Sequence, residues 1–307
     1  MKDDIKGKKI MVTGGAGFIG SHLVDRLIDL GARVVIVDNL STGLKQNINP
    51  KAVFYKLDIN DKKIKNVFEK EKPQVVFLLA CNTKVPKSIE DPMFDIQSLV
   101  GNLNVLVNAK NNKVSKIIAA SSGFVYGNTT KFPTPESAPI IPENPYIINK
   151  SAMEKYVEFF CMTYNIEYVI LRYATVYGPR QVGGAMADYI RNIKAGTSAD
   201  IYGNGKKTRD YVYIEDVIQA NMLALKYKPH KNVTPIFNIG TGVETTLNSL
   251  YSKICKILNK KSKPTYQKDR KGEMFRFSLS TSKSNKYLHW KYLNSLDEGL
   301  KKILLNK

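Results

Sequence analysis

The chain is poor in the residues that bind metals or cross-link secreted folds. Its three cysteines, Cys81, Cys161 and Cys255, are odd in number and far apart, and no pair has metal-ligand spacing. They read as reduced, structural thiols. The three histidines, His22, His230 and His289, are equally scattered, so no metal site is expected. No apolar run reaches the roughly 20 residues of a membrane-crossing helix, and the start, MKDDIKGKK, is followed by no signal-type apolar core. These absences predict a soluble, cytoplasmic protein without a membrane partner. There is no internal repeat and no low-complexity linker. Acids are outnumbered, 27 Asp and Glu against 47 Lys and Arg, for a net charge of +20. The basic residues run along the whole chain rather than forming one arm, so no specific nucleic-acid partner is expected. Most read as a solvated face, with a smaller set suited to polyanionic small molecules.

What is present starts with TGGAGFIG at 13–20. It follows a short apolar run at 10–12 and opens onto Leu23, Val24, Leu27 and Ile28 at helical spacing. In such a strand–turn–helix, Gly14, Gly17 and Gly20 allow a sharp turn, approach of a pyrophosphate to the backbone, and close packing of helix on strand. The helix N-terminus then offers N–H donors and a positive dipole end to phosphate. The next apolar run, 33–37, ends in Asp38, an acid placed to bind the adenosine ribose hydroxyls and to repel a 2′-phosphate. NAD is therefore favoured over NADP. The turn Asn39 to Gly43, with Ser41 and Thr42, is placed to wrap the adenosine half, and Asp58-Ile59 follows a third strand at its C-terminal end. There Asp58 is either an adenine contact or a helix cap.

Further strands at 75–79, 115–120 and 168–172 alternate with helices, the longest predicted at about 92–111. This alternation predicts an α/β fold of the Rossmann type, a doubly wound parallel sheet. Beyond residue 174 it breaks down. The expected organisation is a dinucleotide-binding domain of residues 1–174 plus 212–240, and a smaller C-terminal lobe of 175–211 plus 241–307. Tyr146 and Lys150 lie four apart at the start of a predicted helix and share one face. An ammonium beside a phenol favours the phenolate and lowers its pKa from about 10 toward neutrality, and a nearby hydroxyl such as Ser122 can relay the proton. Such Tyr–Lys pairs are common on helices; the upstream fold gives this one its meaning.

The ordered set TGGAGFIG (13–20), DNLSTG (38–43), SSGFVYG (121–127), YIINK (146–150), LRYATVYGPRQ (171–181), TRDYVYIEDV (208–217), NIGTG (238–242) and RKGE (270–273) resembles the extended short-chain dehydrogenases/reductases, most closely their UDP-glucose 4-epimerase branch. The resemblance implies that Tyr146 is the catalytic base, that Lys150 holds the nicotinamide ribose and tunes Tyr146, and that Ser122 bonds the reacting hydroxyl. It implies a resident NAD, with Phe18, Ile19, Leu79, Ala80, Thr83, Ser98 and Tyr173 among its contacts. It also implies a UDP-sugar substrate whose 4-hydroxyl is oxidised to a transient ketone and reduced on the other face. Arg209 and Arg270 resemble the diphosphate clamps, Glu273 a ribose-binding acid, and Tyr202 a residue stacking on the base. Lys84 and Thr175 complete the implied substrate contacts.

Three positions depart from the family pattern: Leu78 where many relatives have His, Ser98 where Asn is common, and Thr175 where Asn usually meets substrate. The sugar 4,6-dehydratases carry an Asp-Glu pair after the catalytic hydroxyl. Here Gly123 and Phe124 follow Ser122, which leaves elimination without its acid and base. Phe277, seven past the clamp arginine, is implied to limit space around the sugar 2-substituent, favouring UDP-glucose and UDP-galactose over the N-acetylhexosamines. The competing readings are another UDP-sugar converter (a UDP-N-acetylglucosamine or UDP-glucuronate 4-epimerase, or a decarboxylase, with Lys84 a cation for the carboxylate) and a non-catalytic NAD- or nucleic-acid-binding protein. Relatives commonly dimerise through helices of the first lobe, so a homodimer is expected.

Overall fold

A computed structural model describes residues 5–83, 85–270 and 273–305. In chain order the first half holds β1 (Lys9–Thr13), α1 (Phe18–Asp29), β2 (Arg33–Asp38), β3 (Val53–Lys56), α2 (Ile64–Glu71), β4 (Val75–Leu78), α3 (Val85–Glu90), α4 (Pro92–Asn111), β5 (Lys116–Ser122) and α5 (Pro145–Thr163). Then come β6 (Glu167–Tyr173), β7 (Thr175–Tyr177), α6 (Ala185–Lys194), β8 (Asp200–Tyr202), β9 (Thr208–Arg209), β10 (Tyr211–Tyr213) and α7 (Ile214–Lys226). The chain closes with β11 (Ile236–Ile239), β12 (Thr245–Thr246), α8 (Leu247–Leu258), β13 (Thr265–Gln267), α9 (Ser282–Leu288) and α10 (Leu296–Leu305). No helix among the described residues is long and apolar enough to cross a membrane.

Seven strands form one parallel sheet in the order β11-β6-β5-β4-β1-β2-β3. The order reverses between β1 and β4, which is where ligands bind in doubly wound sheets. Strand sequences explain the layering. Every residue of β4 is buried, as is all of β2 after Arg33, the pattern of strands covered on both faces. Met11, Val35, Phe68, Val76, Leu106, Ile117, Val157 and Ile170 belong to one core cluster. Two helix starts are set by side-chain caps followed by proline. Asp91 accepts the Phe94 N–H at 3.0 Å before Pro92, and Asn144 accepts the Ile147 N–H at 3.0 Å before Pro145. The second cap fixes the first turn of α5, and with it Tyr146.

The chain divides into two compact units: one runs up to residue 125 and adds 142–172 and 218–237, and the other takes 126–141, 173–217 and 238 onward. Residues 126–141, 173–174, 212–217 and 238–240, expected in the first domain, thus cluster with the second. The cause is pairing between segments distant in sequence. Tyr126 Oη donates to Asn238 Oδ1 at 2.7 Å, Asn238 N–H to Glu136 at 2.8 Å and Asn238 Nδ2 to the Thr134 carbonyl at 2.9 Å. Strand β10 pairs with β7 in a separate two-stranded sheet rather than returning to the main one.

In the first unit Glu154, 1 % exposed, accepts from Arg172 Nε at 2.9 Å and Nη2 at 2.7 Å and from the Ser121 hydroxyl. This bidentate pair ties α5 to β6 and β5. Breaking a buried pair by removing one charge strands the other, at a cost of about 3–5 kcal/mol. Glu154→Gln is expected to lower unfolding free energy in urea by about that amount; a change under about 1 kcal/mol would show that Arg172 is compensated elsewhere.

Candidate active site

The turn between β1 and α1 is built on backbone contacts that a side chain would destroy. Gly14 has φ +71°, and a Cβ there would lie 2.9 Å from the Ala80 nitrogen. A Cβ on Gly20 would lie 2.1 Å from the Gly14 carbonyl oxygen. Helix α1 begins after Gly17 with no side-chain cap, so its positive end is left to a ligand. Phe18 and Ile19 in its first turn are half-buried. Thr13, fully buried, stitches the turn to β4: its hydroxyl donates to the Phe77 carbonyl and accepts from Leu79 and Ala80 N–H at 3.2 and 3.3 Å.

Asp38 ends β2 with its carboxylate accepting Ala16 N–H at 3.0 Å and Leu40 N–H at 2.8 Å, under Gly43. It therefore clamps the glycine turn to the 38–43 turn. Asn39 Nδ2 donates to Asp58 at 2.6 Å, and Asn39 Oδ1 accepts Ser41 N–H at 2.9 Å, while Ser41 and Thr42 are exposed. Burial works against the Asp58 carboxylate, but donors from Asn60 and Asn39 outweigh it and hold its pKa below the usual range. Asp58 Oδ1 accepts Asn60 N–H at 2.8 Å, closing a local turn, whereas α2 begins after Lys63 with no side-chain cap, so Asp58 is not the cap of that helix. Ile59 puts its side chain into the core.

Ser122 ends β5, and Tyr146 and Lys150 occupy the first turns of α5. The Ser122 hydroxyl lies beside the Tyr146 phenol and accepts Phe124 N–H at 3.2 Å. Lys150 Nζ donates to the Ala120 carbonyl at 2.9 Å. Burial pushes the phenol up, and the Lys150 charge and the Ser122 hydrogen bond pull it down without overcoming burial. For Lys150, burial disfavours the ammonium but Cys81, Tyr146 and Glu154 outweigh it, and its pKa is raised.

A small recess beside this set is lined by Cys81, Asn82, Asp95, Ser98, Asn102, Tyr146, Asn149 and Lys150. Ser98 Oγ accepts Asn82 N–H at 2.8 Å, so it shapes the loop after β4; Thr83 in that loop is exposed. Lys84 lies outside the described residues. Asn102, 5 % exposed, donates to the Ala80 and Ser98 carbonyls but leaves its buried Oδ1 without a partner. The sequence reading missed Asn102, as it missed Asp95, which accepts from Asn149 at 2.6 Å. Both sit at helical spacing within α4, but an Asn on a helix carries no signal of its own.

The second unit gathers another set. Glu273 lies 3.2 Å from Lys207 Nζ, 3.7 Å from Arg209 and 3.8 Å from Arg270. Arg270 stacks on the Tyr202 ring, 3.5 Å from its centroid. Lys207, absent from the sequence reading, also pairs with Asp269. Thr175 Oγ1 is buried with no partner, and Tyr173 is buried at the end of β6. Phe277 is buried, its N–H on Thr208 Oγ1 at 3.2 Å. Asp210, fully buried, accepts from Thr241, Gly242 and Leu279 and is pushed up by burial despite those donors.

A glycine cradle at the reversal of a doubly wound sheet, an acid ending β2 and a Ser–Tyr–Lys set together define a dinucleotide-dependent enzyme. The cradle that a Cβ would fill and the orphaned Asn102 oxygen both fit such a coenzyme. The profile described as the NAD dependent epimerase/dehydratase family matches residues 10–240, and the chain belongs to that family. It is 35 % identical over 307 residues to the UDP-glucose 4-epimerase of Mycolicibacterium smegmatis, covering 96 % of this chain and 97 % of that protein. The crystal structure of a UDP-glucose 4-epimerase with UDP-glucose from Thermotoga maritima superposes with TM-score 0.94 at 40 % identity, over 97 % of both chains. A UDP-N-acetylglucosamine 4-epimerase from Methanobrevibacter ruminantium, in complex with UDP-N-acetylmuramic acid, gives 0.90 at 32 % identity over 98 % of both.

An alanine at position 20 must push the Gly14 carbonyl away. Overpacking of this kind costs about 1–3 kcal/mol, so Gly20→Ala is expected to weaken NAD binding about ten- to a hundredfold. Fluorescence titration with NADH checks it, and unaltered affinity would remove the turn from the coenzyme site.

Proposed function

We propose that the protein interconverts UDP-glucose and UDP-galactose at C4. The observation that carries this reading is the Ser122–Tyr146–Lys150 set, with the Lys150 charge and the Ser122 hydroxyl acting on the Tyr146 phenol, followed at 123–124 by Gly and Phe rather than by acids. The glycine turn, Asp38 and the 39–43 turn would hold NAD, and Lys150 would hold its ribose. Bound NAD supplies a reversible two-electron acceptor. Tyr146 takes the proton from the sugar 4-hydroxyl and later returns it, and Ser122 orients that hydroxyl and passes the proton. Lys150 stays charged and stabilises the phenolate as it forms. With no acid pair after Ser122, nothing removes the 6-hydroxyl, and the transient ketone goes only to a 4-hydroxyl of either configuration.

In the second unit Arg209 and Arg270 would take the diphosphate, since planar guanidinium forks pair bidentately with phosphate oxygens. Glu273 would accept from the ribose, Tyr202 would stack on the base, and Thr175 would turn its unpartnered hydroxyl to the sugar. Phe277 would narrow the space for a 2-substituent. The N-acetyl epimerase among the similar structures keeps a second reading open to the same assay. UDP-sugars incubated singly without added reductant, with products resolved by chromatography, are expected to equilibrate UDP-glucose with UDP-galactose and to leave the N-acetyl pair far slower. Comparable rates for both pairs would overturn the sugar assignment. Tyr146→Phe is expected to fold and retain NAD while turnover falls about 10²–10⁴-fold; unchanged turnover would reject Tyr146 as the base.

A homodimer completes the reading. Helices α4 and α5 pack on each other, and their outer faces expose Met93, Val100 and Val107 at seven-residue spacing, and Tyr156, Phe159 and Met162. Met93 is 71 % and Met162 75 % exposed. A twofold axis would lay this stripe on its own copy, the self-complementary contact of a C2 dimer. Sedimentation velocity is expected to give a dimer, and Phe159→Asp with Met162→Asp a folded monomer; a monomeric parent protein would sink the assignment.

A further inference from the structure

Three cations face one carboxylate in the second unit, and they hold it unequally. Among the described residues only Lys207 is within hydrogen-bond reach of Glu273, at 3.2 Å, whereas Arg209 and Arg270 form longer ion pairs with it at 3.7 and 3.8 Å. The guanidiniums are held elsewhere. Arg209 Nη1 donates to the Thr208 and Met274 carbonyls at 2.8 and 3.0 Å, and Arg270 stacks on Tyr202. Lys207 is itself buried, 4 % exposed, so its ammonium requires its two acids, Asp269 and Glu273. Asp269 is mostly exposed and rests against Gly203, at φ +79° in the turn after β8.

We propose that Lys207 is the positioning residue of the diphosphate clamp, its ammonium detaining Glu273 so that this carboxylate does not close on Arg209 and Arg270. This rests on the reading of the second unit as a nucleoside-diphosphate site. A carboxylate and a phosphate compete for the same guanidinium fork, since both pair with it bidentately. Lys207 supplies that other hold. It also keeps Glu273 in place as an acceptor for ribose hydroxyls and out of a close bidentate pair with either arginine. With Lys207 neutral, Glu273 relaxes onto the arginines and must be displaced before UDP can bind.

The test is UDP binding by isothermal calorimetry on Lys207→Met and Lys207→Gln, each alone and combined with Glu273→Gln. Each single Lys207 variant is expected to bind UDP about tenfold more weakly, with KM for UDP-glucose raised alike and kcat within about twofold, the pattern of lost uniform binding. Adding Glu273→Gln, which cannot pair ionically with arginine, is expected to return UDP affinity to within about twofold of the Glu273→Gln protein. A purely structural ion pair would not be rescued in this way. Single variants that bind UDP as the parent does, double variants as weak as the single ones, or failure of both substitutions to fold would each overturn the proposal. A parent protein that binds no UDP would instead overturn the nucleotide reading of this unit, and the proposal with it.

Discussion

The structure depends on one close approach of backbone to backbone. Where α1 leaves the sheet, Gly20 lies against the Gly14 carbonyl and Gly14 against Ala80, at distances no Cβ tolerates. That contact sets how far the start of α1 sits from the ends of β1 and β4, and therefore whether phosphate can reach the uncapped helix end. Thr13 and Asp38 maintain it from either side with four hydrogen bonds to main-chain N–H groups: Thr13 to Leu79 and Ala80, Asp38 to Ala16 and Leu40. Asp38 therefore has two jobs. Its acidity is what the proposed preference for NAD over NADP rests on, and its two accepted N–H groups hold the turn in shape.

Much of this was legible in the chain because it is local. The glycine turn, the acid ending β2 and the prolines opening α4 and α5 each act within a few residues, and α4 falls at 92–111 as its pattern predicted. The division into units was less legible. Nothing in the run 126–141 announces that it pairs with Asn238 and with the segment after Phe277, because that partnership is made by a few side chains and one main-chain bridge across more than a hundred residues. The same holds for Asn102 and Lys207. Their types are ordinary, and only the fold reveals that one has an orphaned oxygen in a recess and the other is buried between two acids.

The phenol of Tyr146 shows why spacing predicts a contact better than an energy. Tyr146 and Lys150 meet as four-residue spacing on a helix requires. Whether the ammonium wins is set by the surroundings, here burial by the recess, and Lys150 shares its charge with Cys81 and Glu154 as well as with the phenol. A cation divided among several partners stabilises each of them less.

The excess of basic residues invites a polyanion, yet the interior uses its cations sparingly. Among the described residues four Lys or Arg side chains are buried, and each has its own acceptors: Lys116 the Tyr227 carbonyl and Glu167, Lys150 the Ala120 carbonyl, Arg172 Glu154, and Lys207 its two acids. The remaining positive charge lies on or near the surface, where salt screens it beyond about 8 Å at physiological ionic strength. Net charge of that kind draws anions toward the molecule without choosing among them. Choice requires cations that are fixed, partly shielded from water and not already satisfied by a carboxylate. Arg209 and Arg270 meet the first two conditions through main-chain carbonyls and the Tyr202 ring, and the third depends on which cation Glu273 is held by.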